Sequence, residues 1–145
     1  MKFEEIISNW NEDCEIDRTD LANASLGIAK LHSKYYQIYL QEKGRLFQLD
    51  TEYKKLECEK YIFYTEGHTE ETRKKGWELP PRGAIIKSEV QRYLDCDPDI
   101  VTKSKQIGIV KDKTDFLKEI IQNINNRSFH IKNAISYMQW SQGSG

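Results

Sequence analysis

The sequence lacks several features that mark common classes of enzyme and membrane protein. Its three cysteines are odd in number, far apart and without CxxC spacing, which argues against a disulfide framework or a zinc site and predicts reduced thiols in a cytosolic protein. No apolar run is long enough to cross a bilayer, and no signal peptide opens the chain, so no membrane partner is expected. A GxxxxGK[ST] phosphate loop is also missing, which argues against nucleotide hydrolysis.

Catalytic groups are scarce as well. The segment Glu66–Glu71 places one histidine among three glutamates, but a solvated loop is a better interpretation than a metal site, because His32 and His130 are distant in sequence. The cysteines have no adjacent basic partner that would mark a nucleophile, so we expect buried structural thiols at Cys14, Cys58 and Cys96. We therefore predict that the protein is not an enzyme and uses no cofactor.

Apolar residues are few for a chain of 145 residues, at 38% against 31% charged residues. A core this thin favours helices packed against partners over a self-sufficient globule. The length suits one domain, or a compact unit with an appended assembly segment.

Charge is nearly balanced in total, at −1, but unevenly distributed. Residues 1–20 contain seven acidic and two basic residues, whereas residues 73–92 contain six basic and two acidic residues. Two solvated faces are the simpler interpretation of this pattern. A chain with such a dipole can also hold an anion locally while its net charge stays small.

What the sequence has in abundance is helical periodicity. Phe3, Ile6, Ile7 and Trp10 predict a short amphipathic helix, and "IDRTDL" offers Asp17 and Thr19 as caps for a much longer one. Its apolar seam shifts phase near Gly44, which predicts a bend or a split of the helix there. The first part of the seam is Leu21, Ala24, Ile28, Leu31, Tyr35 and Ile38, and the second is Leu46, Leu49, Tyr53, Leu56 and Phe63.

Lys60 occupies a seam position between Leu56 and Phe63, where an isolated ammonium would be costly to bury. Its stem can carry the charge out to solvent, which is the default interpretation for a lone lysine. Alternatively, it presents a cation beside Tyr61 and Tyr64, the combination that single-stranded nucleic acid requires.

The pattern is lost between Thr65 and Pro81, which reads as a basic loop or clamp. A small β-hairpin is an option here, with strands around Trp77–Leu79 and Ala84–Lys87. Lys- and Arg-rich loops of this kind bind phosphates without reading base sequence.

The C-terminal third is again helical. Asp97, Pro98 and Asp99 predict a helix start, with proline in the first turn and acidic residues at the positive end of the helix dipole. "NINNR" marks either a turn between two helices or a point inside a continuous one. A wide apolar stripe runs through this region on both sides of that point. It is covered either by the N-terminal helix or, as we expect from the thin core, by other copies of the chain; it contains Leu117, Ile121, Ile124, Ile131, Ile135 and Met138.

Six short segments, in this order, resemble the recombination mediator proteins of T4-like phages, the UvsY family. They are "IDRTDL" (16–21), "LHSK" (31–34), Lys60 with the following "FYTEG" (63–67), "KSE" (87–89), "LDCDPDI" (94–100) and "RSFHIK" (127–132). Each segment is weak alone, but their order and spacing extend over nearly the whole chain.

The resemblance implies an accessory binding protein that contacts single-stranded DNA without sequence preference and forms rings of six or seven subunits. It also implies two protein partners, a RecA-like phage recombinase and the phage single-strand-binding protein, in the cytoplasm of the infected bacterial host. Lys60 matches a basic DNA-contacting position of the family, whereas Cys58 stands where the family pattern also offers a cation. The C-terminal helical segment of the family mediates assembly.

We therefore expect a mainly α protein with a ring-like homo-oligomer. Residues 1–95 form the DNA-binding region, residues 96–140 the oligomerisation region, and residues 141–145 a tail whose closing Gly-Ser-Gly resembles an added linker. The DNA-binding residues are expected to be Lys55, Lys60, Tyr64, Arg73, Lys74, Lys75 and Lys87. The alternative function is a helical oligomeric adaptor or inhibitor whose basic loop docks an acidic protein.

Overall fold

The computed structural model describes residues 1–143, in which all regular secondary structure is helical and no strand is present. This part of the chain forms seven helices: α1 (Phe3–Asp13), α2 (Leu21–Leu26), α3 (Ile28–Glu66), α4 (Glu70–Lys74), α5 (Val90–Cys96), α6 (Pro98–Asn125) and α7 (Arg127–Ser141). The predicted mainly α fold class is confirmed. None of the helices in the described part of the chain combines the length and apolarity needed to span a membrane. Of the expected tail, residues 144 and 145 lie outside the described residues.

The chain forms two compact units. Within the described residues, the first comprises Met1–Gly44 together with residues 111–143, and the second is Arg45–Val110. Helices α3 and α6 each contribute one part to each unit. The expected boundary near residue 95 separates a DNA-binding region from an oligomerisation region. The two units are defined by packing and not by function, so this boundary stays a prediction.

The core of the first unit joins α1, the first part of α3 and the second part of α6. The side chains at its centre are Ile6, Tyr35, Ile38, Leu117, Ile120 and Ile124. Trp10 packs edge-on against Tyr35, with ring centroids 5.5 Å apart. Helices α1 and α3 therefore cover Leu117, Ile121 and Ile124 of the C-terminal apolar stripe within the same chain.

Buried polar groups fasten the start of α7 to the first unit. Arg127 is buried, and its guanidinium donates to the backbone carbonyls of Asp13 and Glu15, at 3.0 and 2.8 Å. Asp13 in turn accepts hydrogen bonds from Lys34 and Tyr35. Burial alone would raise the pKa of Asp13, but these two hydrogen bonds and the charge of Lys34 hold it below its ordinary value.

The core of the second unit joins the end of α3 to α5 and the beginning of α6. Its buried side chains are Phe63, Tyr64, Ile85, Val90, Leu94 and Ile100. Part of the predicted second seam of the long helix faces this core, since Phe63 belongs to it and the partly buried Tyr53 and Leu56 pack against it. The other two seam residues, Leu49 and Leu46, are buried and partly buried. The loop between α4 and α5 is pinned by a hydrogen bond of 2.7 Å from the Ile85 amide to the Tyr64 carbonyl.

Several expectations about helix ends need correction. Asp20, not Asp17 or Thr19, caps the helix that follows, because its side chain accepts from the Asn23 amide. Asp17 instead accepts from Thr19 in the preceding turn. That first helix, α2, is short, and the long helix α3 begins after Gly27.

Glycine did not split the long helix. α3 runs unbroken through Gly44, which lies at the boundary between the compact units. At the C-terminal end the chain turns at Asn126 between α6 and α7, so "NINNR" is a break and not part of a continuous helix.

The predicted loop contains more helix than its sequence indicated. Thr69 is the N-cap of α4 and forms a capping box with Thr72. Helix α5 was not predicted at all. The optional β-hairpin is absent from the described residues, because Trp77–Leu79 and Ala84–Lys87 adopt turns and irregular backbone without ladder pairing. The three cysteines have free thiols, as expected, but they are exposed and not buried.

Candidate nucleic-acid interface

Lys60 lies inside the second unit, with only 3% of its surface exposed. Its Nζ is 3.1 Å from Asp97 Oδ2 and 2.9 Å from Asp99 Oδ2, and it sits 3.9 Å from the centroid of the Trp77 ring. The stem therefore does not carry the charge to solvent, which was the default interpretation. Two carboxylates and an aromatic face replace water around the ammonium instead, which removes the cost of burying it alone.

Asp97 is the centre of this arrangement. Its Oδ1 accepts from the amides of Asp99 and Ile100, at 3.0 and 3.2 Å, and so caps the first turn of α6 at the predicted helix start. Its Oδ2 accepts from the Tyr64 hydroxyl at 2.6 Å as well as from Lys60. One buried carboxylate thus connects two residues of α3 to the N-terminus of α6.

The ionisation of Asp97 follows from these partners. Burial alone would raise its pKa, but the hydrogen bonds from Tyr64, Lys60 and the Ile100 amide together lower the pKa below the ordinary 3.8. Burial and the same hydrogen bond raise the pKa of Tyr64, so that hydroxyl stays protonated and donates. The cluster therefore holds one negative charge at Asp97 at neutral pH.

Trp77 connects the buried cluster to the exposed cations of α4. Its ring packs edge-on against Phe63, with centroids 5.3 Å apart, and lies 5.0 Å from the Lys75 ammonium. Gly76 has a φ of 73°, a left-handed conformation that glycine adopts without strain, and this turn brings the Trp77 amide to the Thr72 carbonyl. Lys75 itself is exposed and has Glu71 and Glu59 nearby at 3.8 and 3.9 Å.

The other predicted cations lie on the surface. Arg73 and Lys74 form the last turn of α4, Lys55 lies on α3, and Lys87 lies in the segment before α5. Within residues 1–143, none of these four has a carboxylate partner, and α4 therefore ends in two unpaired cations next to Lys75. The structure brings Arg73, Lys74 and Lys75 together as a cationic turn, a name we use below for these three residues.

Lys55 and Lys75 also line a common open groove of about 500 Å³ in the second unit. The groove contains acidic groups too, among them Glu52, which pairs with Lys103 at 2.9 Å. Its charge is therefore mixed, and the cationic turn at its edge is the more favourable place for phosphates.

The two tyrosines named beside Lys60 differ in accessibility. Tyr64 is buried and hydrogen-bonded to Asp97, whereas Tyr61 is exposed at 38% and lines a shallow pocket with Lys54 and Gln91. A base could stack only on the exposed ring. The DNA-contacting roles of Lys60 and Tyr64 stay predictions, and in this conformation neither side chain offers a surface to a strand.

The predicted assembly residues fall into two groups. Leu117, Ile124 and Ile131 are buried within the first unit, and Ile121 is partly buried there. Ile135 and Met138 are each 40% exposed, and Trp140 on the same helix is 75% exposed. The chain itself covers the first part of the stripe and leaves the second part of α7 open.

His68, the weak candidate for a metal ligand, contacts an aromatic ring and a hydroxyl group. The His68 ring packs edge-on against Phe63, and its Nδ1 is 3.3 Å from the Thr72 hydroxyl. No group of three or more His, Cys, Asp and Glu side chains is placed to hold a metal ion in the described part of the chain.

Sequence reasoning missed the partners of Lys60. The signal was present, because a lysine that is buried on an apolar seam needs a counter-charge and "DPD" supplies two carboxylates next to a helix start. Nothing in the sequence alone, however, places Trp77 over that ammonium.

Comparison with known proteins identifies the family to which the chain belongs. The profile of the family described as "Recombination, repair and ssDNA binding protein UvsY" matches residues 9–144. No curated protein sequence matches the chain significantly.

Solved structures give the same fold. Crystal structures of the bacteriophage T4 recombination mediator protein UvsY superpose with a TM-score of 0.79 in lattice types IV, I and II. Lattice type IV is 18% identical and covers 97% of this chain and 99% of the other. Lattice type I is 19% identical and covers 94% of this chain and 98% of the other. Lattice type II is 22% identical and covers 99% of this chain and 98% of the other. At these identities the likeness establishes the fold.

Proposed function

Because the chain belongs to the UvsY family of recombination, repair and single-stranded-DNA-binding proteins, we propose that it is a phage recombination mediator. It binds single-stranded DNA without sequence preference and helps a RecA-like phage recombinase to load onto DNA coated by the phage single-strand-binding protein. The family match over residues 9–144 is the observation that carries this proposal. The family is one of binding proteins and not of enzymes, and the site of action is the cytoplasm of the infected host.

The cationic turn supplies the main contacts to the strand. Arg73, Lys74 and Lys75 are exposed within three consecutive positions, and Lys55 and Lys87 are further exposed cations of the same unit. Such side chains bind phosphates and release counterions but do not read base edges. Binding is therefore strongly salt-dependent and similar for different base sequences.

Assembly makes these contacts effective. The second part of α7 offers Ile135, Met138 and neighbouring aromatic rings to other copies of the chain, and a ring of six or seven subunits is the assembly we propose. Several weak sites on one ring raise the effective concentration for each further contact along the strand. A strand held in this way would loosen the coating protein and favour recombinase nucleation.

A fluorescence anisotropy titration with a labelled oligothymidylate, repeated over a range of salt concentrations, tests the contacts. Each phosphate contact adds about −0.7 to the slope of log K against log salt for single strands, so replacing the cationic turn by three alanines reduces the slope by about 2. Alanines at the equally exposed Lys30, Lys105 and Lys111 provide a matched control and leave the slope nearly unchanged.

The same titration separates the two functions. Equal losses on oligothymidylate and on mixed-sequence strands support non-specific DNA binding. If the wild-type protein does not bind single strands in moderate salt, the mediator proposal is refuted and a helical adaptor with an acidic protein partner takes its place. A strand-exchange assay with recombinase and coated DNA then tests loading, since a mediator shortens the lag before exchange.

A further inference from the structure

We propose that Lys60 is a positioning residue, which holds the cationic turn in place from inside the protein and makes no phosphate contact itself. This inference rests on the proposed DNA-binding function, but it reverses the role that the family resemblance assigns to Lys60. The observation behind it is the burial of the Lys60 ammonium between Asp97, Asp99 and Trp77. We call these four residues the anchor.

The ammonium has no remaining capacity for a phosphate. Two of its interactions go to carboxylate oxygens within 3.1 Å, and the Trp77 ring lies 3.9 Å away on a further side. Only 4% of the Lys60 side chain and 2% of the Asp97 side chain are exposed. To reach a strand, Lys60 would have to leave Asp97 as an unpaired buried charge.

The anchor connects to the cationic turn through Trp77. The indole is held by Lys60 and by the edge of Phe63, and the left-handed turn at Gly76 joins it directly to Lys75. The amide of Trp77 donates to the Thr72 carbonyl, which fixes the end of α4 against the same ring. Loss of the Lys60 charge thus releases the indole and, with it, the geometry of Arg73, Lys74 and Lys75.

The variant Asp97→Asn discriminates between positioning and contact. Asparagine keeps the cap of α6, but it removes the buried one of the two negative charges that hold Lys60 and leaves only the exposed carboxylate of Asp99. If Lys60 contacted phosphate, loss of a nearby negative charge would raise DNA affinity. If Lys60 is part of the anchor, affinity falls even though the protein becomes more positive. Asp95→Asn is the matched control, because Asp95 is an exposed carboxylate two positions away and outside the anchor, and its loss leaves affinity unchanged or raises it.

The variant Lys60→Met is the second test of the proposal, because methionine retains an apolar stem without the charge. We expect a several-fold weaker affinity at every salt concentration with an unchanged salt slope, whereas Lys74→Ala lowers the slope by about 0.7. A slope reduced by about 0.7 in Lys60→Met, together with raised affinity in Asp97→Asn, would overturn the proposal.

The fluorescence emission of Trp77 reports on the anchor in the absence of DNA. In a variant with Trp10 and Trp140 replaced by Phe, Trp77 is the only tryptophan, and Lys60→Met should shift its emission to longer wavelength while far-UV circular dichroism keeps its helical signal. An unchanged emission refutes the anchor whether or not DNA binds. If Lys60→Met fails to fold, the double variant Lys60→Met with Asp97→Asn removes both charges and is measured in its place. Failure of wild-type DNA binding would refute the proposed function alone.

Discussion

Replacing Lys60 by Met will destabilise the protein far more than replacing a lysine in an exposed ion pair. Removal of one partner from a buried pair costs about 3–5 kcal/mol, because the other charge stays buried without compensation. Asp97 retains the Tyr64 hydroxyl and two backbone amides, which places the expected loss at the lower end, about 3 kcal/mol. The lost contact with Trp77 is included in that figure.

Lys103→Met provides the comparison. Lys103 pairs with Glu52 at 2.9 Å, the same distance as Lys60 to Asp99, but its side chain is 25% exposed and that of Glu52 is 42% exposed. A solvent-accessible pair contributes about 0–1 kcal/mol, so this variant should be almost neutral. Distance alone does not distinguish the two lysines, whereas burial does.

Urea unfolding followed by far-UV circular dichroism measures both variants. The double variant Lys60→Met with Asp97→Asn should be more stable than the sum of the single losses predicts, by about 1–3 kcal/mol, because the two residues contact each other. A loss below about 1 kcal/mol for Lys60→Met, or strict additivity with Asp97→Asn, would refute the buried pair.

Three further predictions concern Asp97, Arg127 and the exposed end of α7. The folded pKa of Asp97 lies below the ordinary 3.8, so the contribution of this carboxylate to stability is complete above pH 3.8 and is lost as the pH falls through the folded pKa. The free energy of unfolding of Asp97→Asn should therefore fall less steeply in acid than that of the wild type. Identical pH profiles of the two proteins would contradict this. Arg127→Ala should lower the free energy of unfolding by about 3 kcal/mol, since it removes two charge-assisted hydrogen bonds from a buried guanidinium to backbone carbonyls, and a loss under about 1 kcal/mol in urea would count against it. Replacing Tyr137 and Trp140, both highly exposed, by Ser should leave helix content unchanged but reduce the mass measured by light scattering, and an unaltered mass would exclude them from assembly.

Much of the fold could be predicted from periodicity. The seam residues Tyr35, Leu49 and Phe63 are buried as their spacing requires, and "DPD" begins α6 with Asp97 as its cap. The short helices were harder, because α4 and α5 have five and seven residues and give little periodic signal. The capping residue of α2 was misassigned since Asp17, Thr19 and Asp20 are all good caps and differ only in local geometry.

The candidate site was predicted in composition but not in arrangement. The concentration of cations between residues 73 and 92 is a property of the sequence, and so is the pairing of a seam lysine with aromatic neighbours. The accessibility of each cation is not a property of the sequence, since Lys60 and Lys74 are the same residue type and differ only in what surrounds them.

By itself, then, the sequence determined the helical class, the apolar seams and the basic segment, because side-chain polarity and spacing act locally along a helix. Only the tertiary structure decided that Asp97 and Trp77 meet Lys60, and that α1 covers Leu117 and Ile124 but leaves the end of α7 exposed. Burial and ion pairing depend on residues far apart in the chain, and their positions are fixed only when the helices pack.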